Sequence, residues 1–231
     1  MDIKYINILS KTSLFKNISI EDSKKIIPCL KPEIKYYKKN DSIINSGDIF
    51  KGFGLILEGN INVIKENFSG NRIIVASLDE LDIFGEIMAF SKNKTWPSSV
   101  IALKDCIIVF INSKQILGYC DKACDIHKKI IINMLEIISS KALILNKKVE
   151  YLTMGSIREK ISNFLIEEYK KTYIKTYTIS MNRTELADYL YITRPSLSRE
   201  MIKMKNEGII DFYKSSIQIL DIEKLKNQFM P

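Results

Sequence analysis

Residues Met181 to Ile210 read M-N-R-T-E-L-A-D-Y-L-Y-I-T-R-P-S-L-S-R-E-M-I-K-M-K-N-E-G-I-I. Apolar side chains recur there at helical spacing in two short sets, Leu186, Ala187 and Leu190, then Leu197, Met201 and Met204, with a turn around Tyr191 to Thr193 between them. The sets mark the inward faces of two helices. On its other faces the second helix presents Arg194, Ser196, Ser198, Arg199, Lys203 and Lys205. Thr193 is an N-cap candidate, and Pro195 falls in the first turn, where its missing N–H is tolerated. After Gly208, I-I-D-F-Y and I-Q-I-L flank a polar turn at Lys214 to Ser216, which predicts a hairpin wing. Arginine can donate twice to the O6 and N7 edge of guanine, while serine and lysine reach bases or phosphates, so the second helix carries the groups of a DNA-reading surface. Helix-helix-hairpin units also serve as protein-docking modules; the outward serines and arginines favour DNA.

Moving upstream, a short strand is expected around Tyr177 to Ile179 and a helix from Ile157 to about Lys171, entered through Gly155 and Ser156, where a domain boundary is placed. Before that boundary, Cys120 to Met154 holds neither Gly nor Pro and shows helical periodicity. Ile131, Met134, Ile138, Ala142, Leu145, Val149 and Leu152 average the spacing of a coiled-coil seam, and Ile130, Ile137, Ile144 and Tyr151 form a second stripe. Two apolar stripes predict two partners, the preceding domain and the same helix of a second subunit; the alternative is a single helix packed into its own domain. From about Leu14 to Leu117 short apolar runs, such as Gly54 to Ile64, Arg72 to Leu78 and Cys106 to Ile111, alternate with turn signals at Ser46-Gly47-Asp48, Gly59-Asn60 and Ser69-Gly70-Asn71. An antiparallel β-barrel or roll fits that pattern. The expected fold is α+β: a jelly-roll-like β-roll over 1-119, a long dimerisation helix over 120-154, and a winged helix-turn-helix over 155-231.

Composition sets the bounds around this pattern. The 231 residues suit two domains, and 46% hydrophobic with 27% charged residues is ordinary for a chain with a core. A net charge of +8 favours polyanionic partners, yet residues 155-231 hold 13 Lys and Arg against 10 Asp and Glu, so placement rather than excess charge has to carry the DNA reading. No apolar run approaches the ~18 residues of a membrane span, and the N-terminus lacks a signal-peptide pattern, which predicts a cytoplasmic chain without a membrane partner. Cys29, Cys106, Cys120 and Cys124 lack CxxC pairing and are expected as reduced thiols. With His127 as the lone histidine and no nucleophile-base pairing, no enzyme activity is expected.

L-A-D-Y-L-Y-I-T-R-P-S-L-S-R-E (186-200) resembles the helix-turn-helix signature of the Crp/Fnr family, and E-G-I-I (207-210) resembles the segment that enters its wing. L-I-L-E-G-N-I-N-V-I (55-64) and D-I-F-G-E-I (82-87) are similar to that family's cyclic-nucleotide-binding-like β-roll, so the resemblance spans nearly the whole chain. It implies a sequence-specific transcription regulator, a homodimer on an inverted-repeat operator, with double-stranded DNA as partner and RNA polymerase as a further one if it activates. Arg194, Ser196, Ser198, Arg199 and Lys203 occupy the positions implied for DNA contact. Tyr191 stands where a turn glycine is common, and Pro195 replaces a glutamate that often reads a cytosine.

In cyclic-AMP-binding members a Gly-Glu holds the ribose and an Arg about ten residues later pairs with the phosphate. Gly85 and Glu86 keep the first half, but the arginine position falls on Trp96 and its neighbour on Pro97, neither of which can pair with a phosphate. Lys92 and Lys94 nearby are poorer bidentate partners. Cyclic AMP is therefore not the expected effector, and an unidentified small molecule is expected in a pocket that includes Gly85, Glu86, Trp96, Ser98 and Ser99, unless Trp96 simply fills the core; a cyclic-AMP-responsive regulator and a protein-docking regulator without DNA binding are the alternatives. Cys120, Cys124 and His127 can line one helical face as soft ligands, or be ordinary helix residues, the expected case, with no metal.

Overall fold

The computed structural model describes residues 2–66, 72–118 and 125–229. Two helices precede the first strand, α1 (Ile3–Leu9) and α2 (Ile20–Leu30). The Ser19 hydroxyl accepts from the Asp22 backbone N–H at 3.0 Å, Glu21 and Asp22 lie in the first turn, and Ile26, Ile27 and Leu30 are buried. The β unit therefore begins at Glu33 rather than near Leu14. The apolar residues before it keep helical spacing, and Ser19 supplies the cap that starts the helix.

The strands follow as β1 (Glu33–Tyr37), β2 (Ser42–Ile44), β3 (Gly52–Glu58), β4 (Ile61–Glu66), β5 (Arg72–Leu78), β6 (Ile83–Phe84), and, after the short helix α3 (Glu86–Phe90), β7 (Ser99–Ala102) and β8 (Cys106–Asn112). They pair antiparallel in two sheets, ordered β1-β8-β3-β6 and β2-β7-β4-β5. Ile56 and Ile108 of the first sheet and Ile44, Ile61, Val100 and Ala102 of the second share one buried cluster, the inside of a β-roll. Gly59 turns the chain between β3 and β4 at φ +95°, where an added Cβ would lie 2.6 Å from the Asp105 carbonyl oxygen. Gly47 also has positive φ, as its turn requires; the Ser69-Gly70-Asn71 turn lies outside the described residues.

After α4 (Ser113–Leu117) the chain enters α5, Asp125–Thr153. By its contacts the chain divides into Met1–Lys141 and Ala142–Pro231, and α5 runs across the division. In the first unit Ile130, Met134 and Ile137 of α5 pack with Leu9, Leu14, Phe15 and Ile26, and Asn133 donates to the carbonyls of Leu14 and Lys16, each at 2.9 Å. Met134 is thus a core residue, contrary to its place in the expected seam. Leu135, 59% exposed, takes its place and keeps the alternating three-and-four spacing through Ile138, Ala142, Leu145, Val149 and Leu152. Ile144 is 68% exposed and does not share the burial of Ile130, Ile137 and Tyr151.

The second unit continues with α6 (Ile157–Thr172), β9 (Thr176–Thr178), α7 (Arg183–Tyr189), α8 (Arg194–Asn206), β10 (Ile210–Tyr213), β11 (Ser216–Ile219) and α9 (Ile222–Lys226). Its sheet runs β10-β11-β9, antiparallel throughout. Leu165, Leu186, Leu190, Leu197, Met201 and Met204 form its core. No helix among the described residues is long and apolar enough to cross a membrane.

Candidate nucleic-acid interface and sensor site

Local sequence builds the two helices of the interface. Asn182 caps α7 by accepting from the Thr184 and Glu185 backbone N–H groups at 2.9 and 3.0 Å, and Glu185 accepts from the Asn182 backbone N–H at 2.8 Å, a reciprocal capping box. Thr193 caps α8, accepting from the Ser196 backbone N–H at 3.3 Å, with Pro195 in the first turn. Between the helices Tyr191 adopts φ +54°, the left-handed region in which a glycine is unstrained, and the Lys148 ammonium lies 5.0 Å from its ring centroid.

Leu197, Met201 and Met204 have no exposed surface, which turns the remaining faces of α8 outward. Arg194, Arg199 and Lys203 are exposed and Ser196 and Ser198 half-buried, so the sequence-predicted residues do lie together on one helix. Arg199 donates to the Ser196 hydroxyl at 3.4 Å, and Lys203 lies 3.7 Å from the Glu200 carboxylate. Lys205 is different: it pairs with Asp211 at the base of the wing and stands over the Phe212 ring.

Two cations were not singled out by the sequence reading. Arg183, the first residue of α7, stacks 4.9 Å from the Phe212 ring centroid, and its Nη2 is buried without a hydrogen-bond partner among the described residues. Burial holds its guanidinium below the ordinary arginine range. It lines a groove of about 520 Å³ with Asn182, Thr184, Arg194, Lys214 and Ser215, where three cations, one with an open donor, suit an anion such as a phosphate. Only their approach in space reveals the group, since Arg183 and Lys214 lie far apart in sequence.

Arg158 of α6 fixes how α8 sits in its domain. Its Nε donates to Glu200 at 2.6 Å, and its two terminal nitrogens donate to the two oxygens of Glu207 at 2.7 Å each, gripping α8 at its middle and at its C-cap. The hydrogen bonds from Arg158 hold the Glu207 carboxyl below the usual range. Tyr151 is 1% exposed and stacks edge-on with Tyr189, and its hydroxyl donates to Glu167 at 3.3 Å; burial pushes that phenol well up.

In the first unit Gly85, Glu86 and Trp96 do come together. Gly85 has φ +80°, and an added Cβ would lie 2.5 Å from the Trp96 ring. Trp96 is buried among Phe50 and Phe84, with centroids 6.2 Å away in each case; it fills the core. Glu86 is buried against Lys141 of α5, whose ammonium lies 2.8 Å from Oε1. Ser98 is buried, and the Ser99 hydroxyl accepts from the Ser46 backbone N–H at 3.0 Å. Lys94 donates to the Ala89 carbonyl at 2.8 Å, and Lys92 is exposed. His127 Nε2 lies 2.9 Å from the Gln115 carbonyl oxygen, while Cys120 and Cys124 lie outside the described residues. The described residues contain no cluster of three or more His, Cys, Asp or Glu able to hold a metal. Cys106 donates its thiol to the carbonyls of Asn60 and Lys104, and burial pushes that thiol up.

Comparison with known proteins follows the same division. Residues 34–123 match the family described as "Cyclic nucleotide-binding domain" and residues 159–228 the "Crp-like helix-turn-helix domain". The "Probable transcriptional regulator flp" of Lacticaseibacillus casei is 22% identical over 216 residues, 93% of this chain and 94% of that protein. Human "cGMP-dependent protein kinase 2" is 33% identical over 86 residues, 37% of this chain; the match spans 11% of the kinase's length. Among solved structures, the Thermus thermophilus Catabolite Activator Protein superposes with a TM-score of 0.53 at 16% identity, covering 94% of this chain and 97% of that one.

The Arg158 clamp yields a measurable expectation. Arg158→Ala leaves the half-buried Glu200 without its guanidinium and should destabilise the second unit by about 2 kcal/mol, a typical cost for losing a charge-assisted hydrogen bond. Urea unfolding followed by circular dichroism checks it, and Arg158→Lys, which keeps charge but not the fork, should recover only part of the loss.

Proposed function

Because the chain is a Crp/Fnr-type transcription regulator with a helix-turn-helix DNA-binding domain, we propose that it works as a homodimer reading an inverted-repeat operator, with α8 in the major groove. The observation that carries this reading is the division of α8 into a buried face of Leu197, Met201 and Met204 and an outward set of Arg194, Ser196, Ser198, Arg199 and Lys203. Arg199 is the candidate for bidentate contact with guanine and Lys203 for a phosphate. Arg183 and Lys214 flank Arg194 and are assigned to the DNA backbone.

The dimer is assigned to α5. Leu135, Leu145, Val149 and Leu152 are each more than half exposed on one stripe of coiled-coil spacing, an apolar seam that a second copy of the same helix would cover. Residues 1-119 are then the sensor, 120-154 the dimerisation helix and 155-231 the DNA-binding domain of a cytoplasmic regulator, with RNA polymerase a partner where it activates. A small molecule in the β-roll modulates it. The kinase relative is named for cGMP, but here the place of a phosphate-pairing arginine is filled by buried Trp96, which argues against a cyclic nucleotide.

Selection of binding sites from random DNA tests the reading: a two-fold inverted repeat with half-sites about 34 Å apart is expected. Arg199→Ala should cost about 1 to 3 kcal/mol and relax preference at one base pair, whereas Lys203→Ala should weaken all sequences alike. Failure to recover any site would favour a protein-docking role for the winged domain. In sedimentation runs, Leu145→Glu should convert a dimer to a monomer, since an unpaired carboxylate in an apolar seam costs about 3 kcal/mol or more; a wild type already monomeric at micromolar concentration would remove the assignment of α5.

A further inference from the structure

Glu86 opens α3 with a side chain only 3% exposed, a position in which a carboxylate must meet a positive charge. Lys141 meets it. Its ammonium lies 2.8 Å from Glu86 Oε1 and donates to the Ile83 carbonyl at 2.8 Å, while Glu86 Oε2 has no hydrogen-bond partner among the described residues. An ammonium has three donors and needs acceptors of this kind, an acid and a carbonyl. The site therefore already displays the binding of an ammonium group, delivered by the chain itself.

An anion has no comparable place. Trp96 packs against Gly85, and among the described residues no guanidinium pairs with Glu86, so an anionic group would meet a buried carboxylate of its own sign. A cation meets acids beside Lys141 instead. On its other side Lys141 lines a groove of about 320 Å³, with Leu78, Leu81, Ile83 and Ile137 as apolar wall and Asp82 and Glu136 as acids, Glu136 being 3.4 Å from the Lys16 ammonium. That volume is at the small end of ligand sites. The Lys141 side chain is 36% exposed, whereas that of Glu86 is 3% exposed.

We propose that this is an ammonium-binding sensor site, occupied in the free protein by Lys141, and that the effector it admits is a small organic amine whose N–H groups replace the Lys141 ammonium between the Glu86 carboxylate and the Ile83 carbonyl. This rests on reading the β-roll as the sensor domain. Entry of the amine releases Lys141 and with it the tie between α3 and this turn of α5, so ligand binding is converted into a change in how firmly the helix is held.

The test uses the full chain and n-propylammonium chloride as probe. Lys141→Ala should lower the melting temperature by about 10 °C, as expected for a buried carboxylate left unpaired. Propylammonium should restore it in a saturable titration, while tetramethylammonium, which has no N–H, propanol and sodium chloride should not. The Lys141→Ala, Glu86→Gln double variant should show no response, and the wild type should respond at least tenfold more weakly, because Lys141 competes. Loss of stability that no amine restores, or restoration equal in sodium chloride, overturns the proposal. If Lys141→Ala is recovered unfolded, refolding yield with propylammonium against propanol makes the same decision. Since none of these readouts involves DNA, a chain that shows the rescue but binds no operator keeps the site and loses the regulator reading, and the converse result loses only the site.

Discussion

One uninterrupted helix has to place apolar side chains in two separate cores and still leave a third set open. Ile130, Met134 and Ile137 are buried in the first unit and Tyr151 in the second, while Leu135, Leu145, Val149 and Leu152 remain exposed. At 3.6 residues per turn the open set lies roughly a quarter turn around the axis from the buried one. Leu152 falls five whole turns beyond Met134 and so in line with it, and it stays open because the first core ends before it. Under the proposed dimer the open set is covered by a second copy of α5, which would account for so many aliphatic residues on a helix with so few core positions.

Within the second unit, the position of α8 is set twice over. Its apolar face packs on α6 and α7, and the Arg158 guanidinium holds Glu200 and Glu207 from the side. Capping adds to this locally, since Thr193 and Asn182 fix where α8 and α7 begin. If Arg199 reads a base as proposed, it has to be presented to within a fraction of an ångström to make two parallel hydrogen bonds, and polar contacts away from the outward face would serve that by removing freedom of the helix.

Much of this was legible in the residues. The capped pair of helices, the wing and the extent of α6 follow from spacing and caps, and the left-handed Tyr191 stands where a turn glycine is common in the Crp/Fnr family. Met134, expected on the open stripe, is a core residue: Met134 and Leu135 are adjacent and both apolar, and only packing against Leu14 and Phe15 decides which turns inward. The helix α2 was missed beneath a run of short apolar stretches, although Ser19 with Glu21 and Asp22 carried its signal. The partners Lys141 for Glu86 and Arg158 for Glu200 and Glu207 leave no trace in spacing; they depend on the fold bringing distant charges together. Whether Trp96 lined a pocket or filled the core was not legible in the residues and required the aromatic neighbours Phe50 and Phe84.

Recognition of DNA by the face that α8 shares with Arg183 and Lys214 is tested most directly by fluorescence anisotropy of a labelled duplex with the wild-type chain across a salt series. The logarithm of the affinity should fall linearly with the logarithm of salt concentration, by about 0.9 for each phosphate neutralised, and replacing Arg183 and Lys214 together by Ala should flatten that slope by roughly two. An affinity indifferent to salt, or a slope unchanged by the double substitution, would contradict the placement of DNA on this face.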